Sequence, residues 1–152
     1  MRRKEKKVID PDDLESIERD ATICHLAMVD DGTPYVVPMN FGFEKGKIFL
    51  HCAAEGRKID ILRKNPHVCF EMVSHSEILE KENACKWGTR FKSVIGDGTC
   101  RFLETNEEKL HGLQIIMGQY SSRHWEFSAR EVESTTVIEI AIVEMNGKIS
   151  GY

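Results

Sequence analysis

The chain has 152 residues, 41% hydrophobic and 30% charged, the make-up of one globular domain large enough to bury a single core. Its formal net charge is −4, from 21 Lys+Arg against 25 Asp+Glu, so no overall basic field recruits nucleic acid or an anionic membrane surface. No stretch approaches the length of a membrane-spanning helix.

The basic run Arg2-Arg3-Lys4-Glu5-Lys6-Lys7 has no apolar segment after it, so residues 1–9 read as a flexible, solvated arm and not as a signal peptide. Asp10 as N-cap with Pro11 behind it opens a first helix, Leu14 and Ile17 on its inner face. Residues 22–29 are β-rich and mostly apolar, a strand expected to be buried on both faces. Asp30-Asp31-Gly32 supplies a turn, 35–43 a second strand, Lys45-Gly46-Lys47 another turn, and 48–52 a third strand. Three strands joined by tight turns predict an antiparallel meander and exclude a doubly wound parallel sheet. A short helix over 56–64 is stopped by Asn65-Pro66. Strands follow over 68–73, 91–95 and 99–103, the last two separated by Gly96-Asp97-Gly98, while the polar stretch 74–88 reads as a long loop. Thr105 and Glu108 form a capping box for a helix presenting Leu110, Leu113, Ile116 and Tyr120 inward. Residues 121–134 have no assignable pattern, and 136–143 alternates as a final strand. The expected fold is mainly β, an antiparallel barrel of about seven strands with flanking helices, in one domain.

Five cysteines, an odd number without a Cys-x-x-Cys pair, make no disulfide framework and point to the reducing cytoplasm. Adjacent His51 and Cys52 point to opposite faces of a strand, so no metal site is expected.

Three stretches could carry chemistry. In Tyr35-Val36-Val37-Pro38-Met39-Asn40-Phe41-Gly42-Phe43, a proline within a strand belongs at an edge or bulge. The backbone groups of Val37, Met39 and Asn40 can then face a planar ligand; equally, Pro38 can simply block an exposed edge. In His51-Cys52-Ala53-Ala54-Glu55-Gly56-Arg57-Lys58, two cations stand in the first turn of a helix, where the dipole disfavours them unless an anion sits among them. The alternative is a solvated helix face. Arg90-Phe91-Lys92-Ser93-Val94-Ile95-Gly96 offers a hydroxyl and cations on a strand, or merely a strand with outward charges.

Taken in order, and with Asn65-Pro66-His67-Val68-Cys69-Phe70-Glu71 between them, these stretches resemble the pyridoxamine 5′-phosphate oxidase-related flavoproteins, most of all the nitroimidazole-resistance (Nim-type) branch. The resemblance implies an antiparallel split β-barrel, a homodimer, and FMN bound at the dimer interface. It implies that Val37, Pro38, Met39 and Asn40 line the flavin ring and that Arg57, Lys58 and Ser93, with Val94 beside it, hold the phosphate end. His51 stands near the flavin as the one catalytic candidate, and Trp125 is a contact from the second subunit. Cys52 departs from the serine expected after the histidine, Phe91 from a frequent tyrosine, and Gly88 from a frequent serine.

The function expected from this likeness is an FMN-dependent oxidoreductase reducing a small-molecule electron acceptor such as a nitroaromatic. Pyridoxamine phosphate oxidation is disfavoured, because the substrate-phosphate residues of such enzymes have no match near the C-terminus. A flavin- or haem-binding carrier or sensor on the same barrel is the non-enzymatic alternative. Neither nucleic acid nor a membrane is an expected partner.

Overall fold

The computed structural model describes residues 7–8 and 10–152. In chain order the elements are β1 (Lys7–Val8), α1 (Pro11–Asp20), β2 (Cys24–Asp30), β3 (Thr33–Met39), β4 (Phe41–Glu44), β5 (Lys47–Cys52) and α2 (Arg57–Lys64). There follow β6 (His67–Leu79), β7 (Gly88–Phe102), α3 (Asn106–Tyr120), α4 (Ala129–Ser134) and β8 (Thr136–Ser150), with a 3-10 turn at Ala84–Lys86. Every ladder among the described residues is antiparallel. The sheet order is β3-β2-β6-β7-β8-β5-β4, with β1 added on β8. Because β3 and β4 are successive pieces of one run bent at Asn40, a path that starts on one and ends on the other closes the sheet into a barrel.

Local chemistry sets these elements. The β2–β3 hairpin places Asp31 and Gly32 at φ 47° and 84°, and the β4–β5 hairpin places Lys45 and Gly46 at 51° and 77°, the left-handed pair that a two-residue hairpin requires. Asp10 caps α1 by accepting the Asp12 N–H, and the Thr105–Glu108 capping box is present at α3. Glu108 also takes a hydrogen bond of 2.7 Å from Arg101 Nη1, and Arg101 in turn holds Glu139 through Nε at 3.0 Å and Nη2 at 3.2 Å. Burial opposes ionisation of Glu139, but the hydrogen bonds from Arg101 and Lys47 outweigh it and hold the carboxyl below its ordinary value.

Two apolar layers result. Inside the barrel lie Leu26, Phe41, Ile48, Leu50, Phe70, Ile138 and Ile140, all fully buried. Between the barrel wall and helices α3 and α4 lie Phe49, Leu103, Leu113, Ile116, Val132 and Val137. Alternation on β5 decides this split, since Ile48 and Leu50 face in while Phe49 faces out.

The structure corrects four readings. Lys7–Val8, within the expected arm, pair with Lys148 and Gly147; Val8 is buried against Gly147, where a side chain would collide with it. The rest of that arm lies outside the described residues. β2 is buried on one face only, with Cys24, Leu26 and Met28 inward and His25 and Val29 exposed. Of the stretch 74–88 only 80–87 is a loop: β6 runs on to Leu79 and pairs with 88–92 of β7. Gly96-Asp97-Gly98 is not a turn but the middle of β7. A Cβ on Gly96 would lie 2.5 Å from the Phe70 ring and one on Gly98 2.5 Å from Ile140, so these glycines serve close approach within a strand.

Candidate functional site

β3 stands at an end of the hydrogen-bonded path, so along 33–39 it is paired, among the described residues, only with β2. Pro38, opposite His25, is therefore tolerated, and the strand keeps a backbone edge for something other than a strand. Met39 is buried and Val37 packs against the barrel core, whereas Val36, Pro38 and Asn40 are exposed.

The N-terminus of α2 abuts this strand. Gly56 takes the N-cap at φ 130° with no side-chain cap, and its carbonyl accepts the N–H groups of Ile59 and Asp60. The first-turn amides ahead of those two have no intrahelical acceptor by the geometry of a helix. A cleft of about 200 Å³ opens here, lined by Tyr35, Cys52, Gly56, Arg57 and Lys58 among others. Arg57 lies 4.5 Å over the Tyr35 ring, and its Nε donates to Asp30 Oδ2 at 3.3 Å. Lys58 Nζ is 3.0 Å from Met39 Sδ, and no carboxylate pairs with it among the described residues. Both cations do stand at a helix N-terminus, as the sequence implies, but Arg57 already has a carboxylate partner that spacing could not show. Lys58 is the cation without one. Burial pushes the Cys52 thiol up, against the pull of Lys58.

The structure separates other candidates from this cleft. His51, exposed and on the opposite face of β5 from Cys52, lines a second cavity of about 260 Å³ with Leu113, Ile116, Met117, Phe127, Glu131 and Thr135. Glu131 there is engaged by Ser128 in the α4 capping box. Ser93 lies on β7, paired in register with Val73 and Lys148. Val94 beside it is fully buried in the barrel core, so only its backbone can meet a ligand. Trp125, stacked by Arg123 at 4.8 Å, borders a third cleft beyond the end of α3. Within one chain the structure thus brings together Met39, Arg57 and Lys58, and leaves His51, Ser93 and Trp125 elsewhere. Tyr35 and Asp30 are additional residues at the cleft; the sequence showed them only as strand and turn.

The family model for pyridoxamine 5′-phosphate oxidase matches residues 10–149, spanning the barrel, the α2 cleft and the His51 cavity. The chain belongs to this family. Among solved structures, a candidate 5-nitroimidazole antibiotic resistance protein from Bacteroides thetaiotaomicron is 34% identical, with a TM-score of 0.85 over 94% of this chain and 86% of that one. Two more distant structures share the pyridoxamine 5′-phosphate oxidase-like barrel. The flavocytochrome Anf3 from Azotobacter vinelandii is 20% identical, with a TM-score of 0.85 over 100% of this chain and 72% of the other. A FAD and heme binding protein from Mycobacterium smegmatis is 16% identical, with a TM-score of 0.85 over 97% and 75%. No curated protein matches the sequence. The fold is thus the antiparallel split barrel of the pyridoxamine 5′-phosphate oxidase family. Among the described residues no helix is long and apolar enough to cross a membrane.

Proposed function

We propose that this protein binds FMN and acts as an oxidoreductase on a small electrophile such as a nitroaromatic. The observation that carries this reading is the α2 cleft: a lysine with no carboxylate partner among the described residues, an arginine and uncapped helix amides, set beside a β-strand edge to which no described strand is paired. That donor set fits a phosphate, and the free edge of β3 fits the polar rim of a flavin ring. Arg57, Lys58 and the α2 amides would hold the phosphate, and the backbone of 37–40 would orient the ring. When bound, the flavin supplies reversible electron uptake; the protein supplies binding, orientation and local charge. A single short cradle without a Gly-x-Gly-x-x-Gly turn favours FMN over a dinucleotide.

The reading includes a homodimer. Val36, Val73 and Ile95 are exposed by 59%, 37% and 50% on the outer side of the β3-β2-β6-β7 wall, with Ile23 just before β2 exposed by 37%, an apolar face suited to a two-fold partner. Such pairing would bring contacts from Ser93, Val94 and Trp125 to a cleft that one chain leaves open. The relative from Bacteroides thetaiotaomicron, named for 5-nitroimidazole antibiotic resistance, supports a nitro group as the acceptor. The five cysteines are unpaired, which suits the cytoplasm.

Purified protein should be yellow, release FMN and not FAD on heating, and scatter light as twice 17.4 kDa. A haem spectrum, or a colourless protein unchanged by added flavin, overturns the reading.

Set apart from the α2 cleft within one chain, His51 would reach the flavin across the two-fold pairing and hold the proton delivered as the acceptor takes up charge. His51→Ala is expected to keep most bound flavin yet slow flavin reoxidation by a nitro compound about 10²-fold or more, the scale of one positioned proton donor. If the variant purifies without flavin, His51 serves binding instead, and stopped-flow absorbance on the loaded protein separates the two.

A further inference from the structure

Glu18 is a buried carboxyl with no part in the site above. The residue is 2% exposed, and its Oε1 has no hydrogen-bond partner among the described residues. Around it the C-terminal end of α1 is tied down by α3. Gln119 Nε2 donates to the carbonyls of Glu18, Arg19 and Ala21 at 2.8, 3.1 and 2.9 Å. The Tyr120 hydroxyl donates to the Thr22 carbonyl at 3.0 Å and accepts the Phe41 N–H at 2.8 Å. Two side chains of α3 therefore link α1 to the first residue of β4, next to Asn40.

Among the described residues, nothing around Glu18 compensates a charge. Glu15, one turn earlier, is of the same sign. From α3 come the neutral amide of Gln119 and the hydroxyl of Tyr120. On the strands beneath, Leu14 sits over Gly147, which pairs with Val94. In register, the titratable groups that flank that pair on β6, β7 and β8 are Glu71 (opposite Ile95), His75 and Lys92 (opposite each other) and Lys148 (opposite Ser93). Glu71 is engaged by His25 at 2.9 Å, His75 by Glu77 at 3.8 Å, Lys92 by the Tyr152 ring at 5.4 Å and Lys148 by the Phe91 ring at 4.7 Å. Among the described residues, none forms an ion pair with Glu18. A neutral carboxyl is tolerable in such a place, and an ionised one is costly.

We propose that α1 is a proton-dependent strap on the barrel, docked while Glu18 is neutral and loosened when it ionises, with the loosening passed through Gln119 and Tyr120 to the Asn40–Phe41 corner. Desolvation, reinforced by Glu15, raises the carboxyl from its ordinary 4.5 to about 7. The docked form thus keeps a proton that the undocked form gives up. Docking is strongest below the ordinary value, weakens as pH rises toward 7, and loses nothing further above it. Across that window the docking equilibrium should change by roughly a hundredfold.

Residue-resolved hydrogen exchange on the full chain, corrected for intrinsic base catalysis, tests the strap. Between about pH 5 and pH 8, protection of the α1 amides should fall about a hundredfold in the native protein and stay level in Glu18→Gln. The Phe41 amide should follow α1 in the native protein and cease to follow it in Tyr120→Phe. Level protection in the native protein, or an equal fall in Glu18→Gln, overturns the strap. An α1 change that Phe41 never shares overturns the coupling to the corner. Carbon-detected NMR titration of the Glu18 carboxyl needs no variant, and a midpoint near 4.5 likewise overturns the proposal.

Discussion

Gly42→Ala should destabilise the protein by about 3 kcal/mol, the upper part of the range for overpacking a rigid site. A Cβ at this position would lie 2.5 Å from the Ile115 carbonyl oxygen and 2.6 Å from both the Ile115 carbon and the Ile116 nitrogen. These are backbone atoms of α3, so no rotamer change relieves the clash; the helix itself must lift from β4. The cost extends to function, because α3 carries Leu113, Ile116 and Met117 over the His51 cavity and Tyr120 against Phe41. A chain of this size should melt roughly 6–12 °C lower. Gly118→Ala on the same helix is the control. A Cβ there meets nothing within 4 Å, so exchanging a helical glycine for alanine should stabilise by about 0.5–1 kcal/mol. Denaturant unfolding of both variants measures the contrast, and two shifts of the same sign would mean that α3 is not seated on Gly42.

Where the sequence was legible, one local rule decided the outcome. The Asp31-Gly32 and Lys45-Gly46 turns and the Thr105–Glu108 box each depend on residues within four positions of one another, and each is found where expected. The failures are all tertiary. Glycine at 96 and 98 suggested a turn, but its cause is the Phe70 and Ile140 side chains pressing on β7. The 74–79 extension of β6 lacks apolar alternation because it projects exposed side chains, and cross-strand pairs such as Glu77 with Arg90 at 3.1 Å join it to β7. At the site, the cations and the proline-bearing edge were legible as a dipole conflict and a missing donor. The Asp30 partner of Arg57 was not, since a turn aspartate also has a sufficient local reason to be there. The separation of His51 from the cleft follows from strand alternation, but which face carries α3 is decided by packing far along the chain.

On the proposed reading, the largest effect on the ligand should come from Lys58. Arg57 spends part of its charge on Asp30, whereas Lys58 meets the Met39 thioether and no carboxylate among the described residues. A charge-assisted contact to phosphate contributes about 1.5–3 kcal/mol. Lys58→Ala should therefore weaken FMN binding by about one to two decades, with riboflavin, which lacks the phosphate, nearly unaffected. Arg57→Ala should cost less, because phosphate must share that guanidinium with a carboxylate. The ion pair itself is a weak competitor, its side chains being 54% and 26% exposed. Asp30→Asn should then tighten FMN several-fold, by removing a negative charge beside a dianion and leaving Arg57 only a neutral, weaker acceptor. The same substitution should leave riboflavin unchanged, so a change in both ligands would indicate an altered fold and not altered electrostatics. Isothermal titration of FMN and riboflavin against the native protein and these three variants decides the matter. Native protein that binds riboflavin as tightly as FMN, or Lys58→Ala that keeps native FMN affinity, would leave the two cations as nothing more than a solvated helix face.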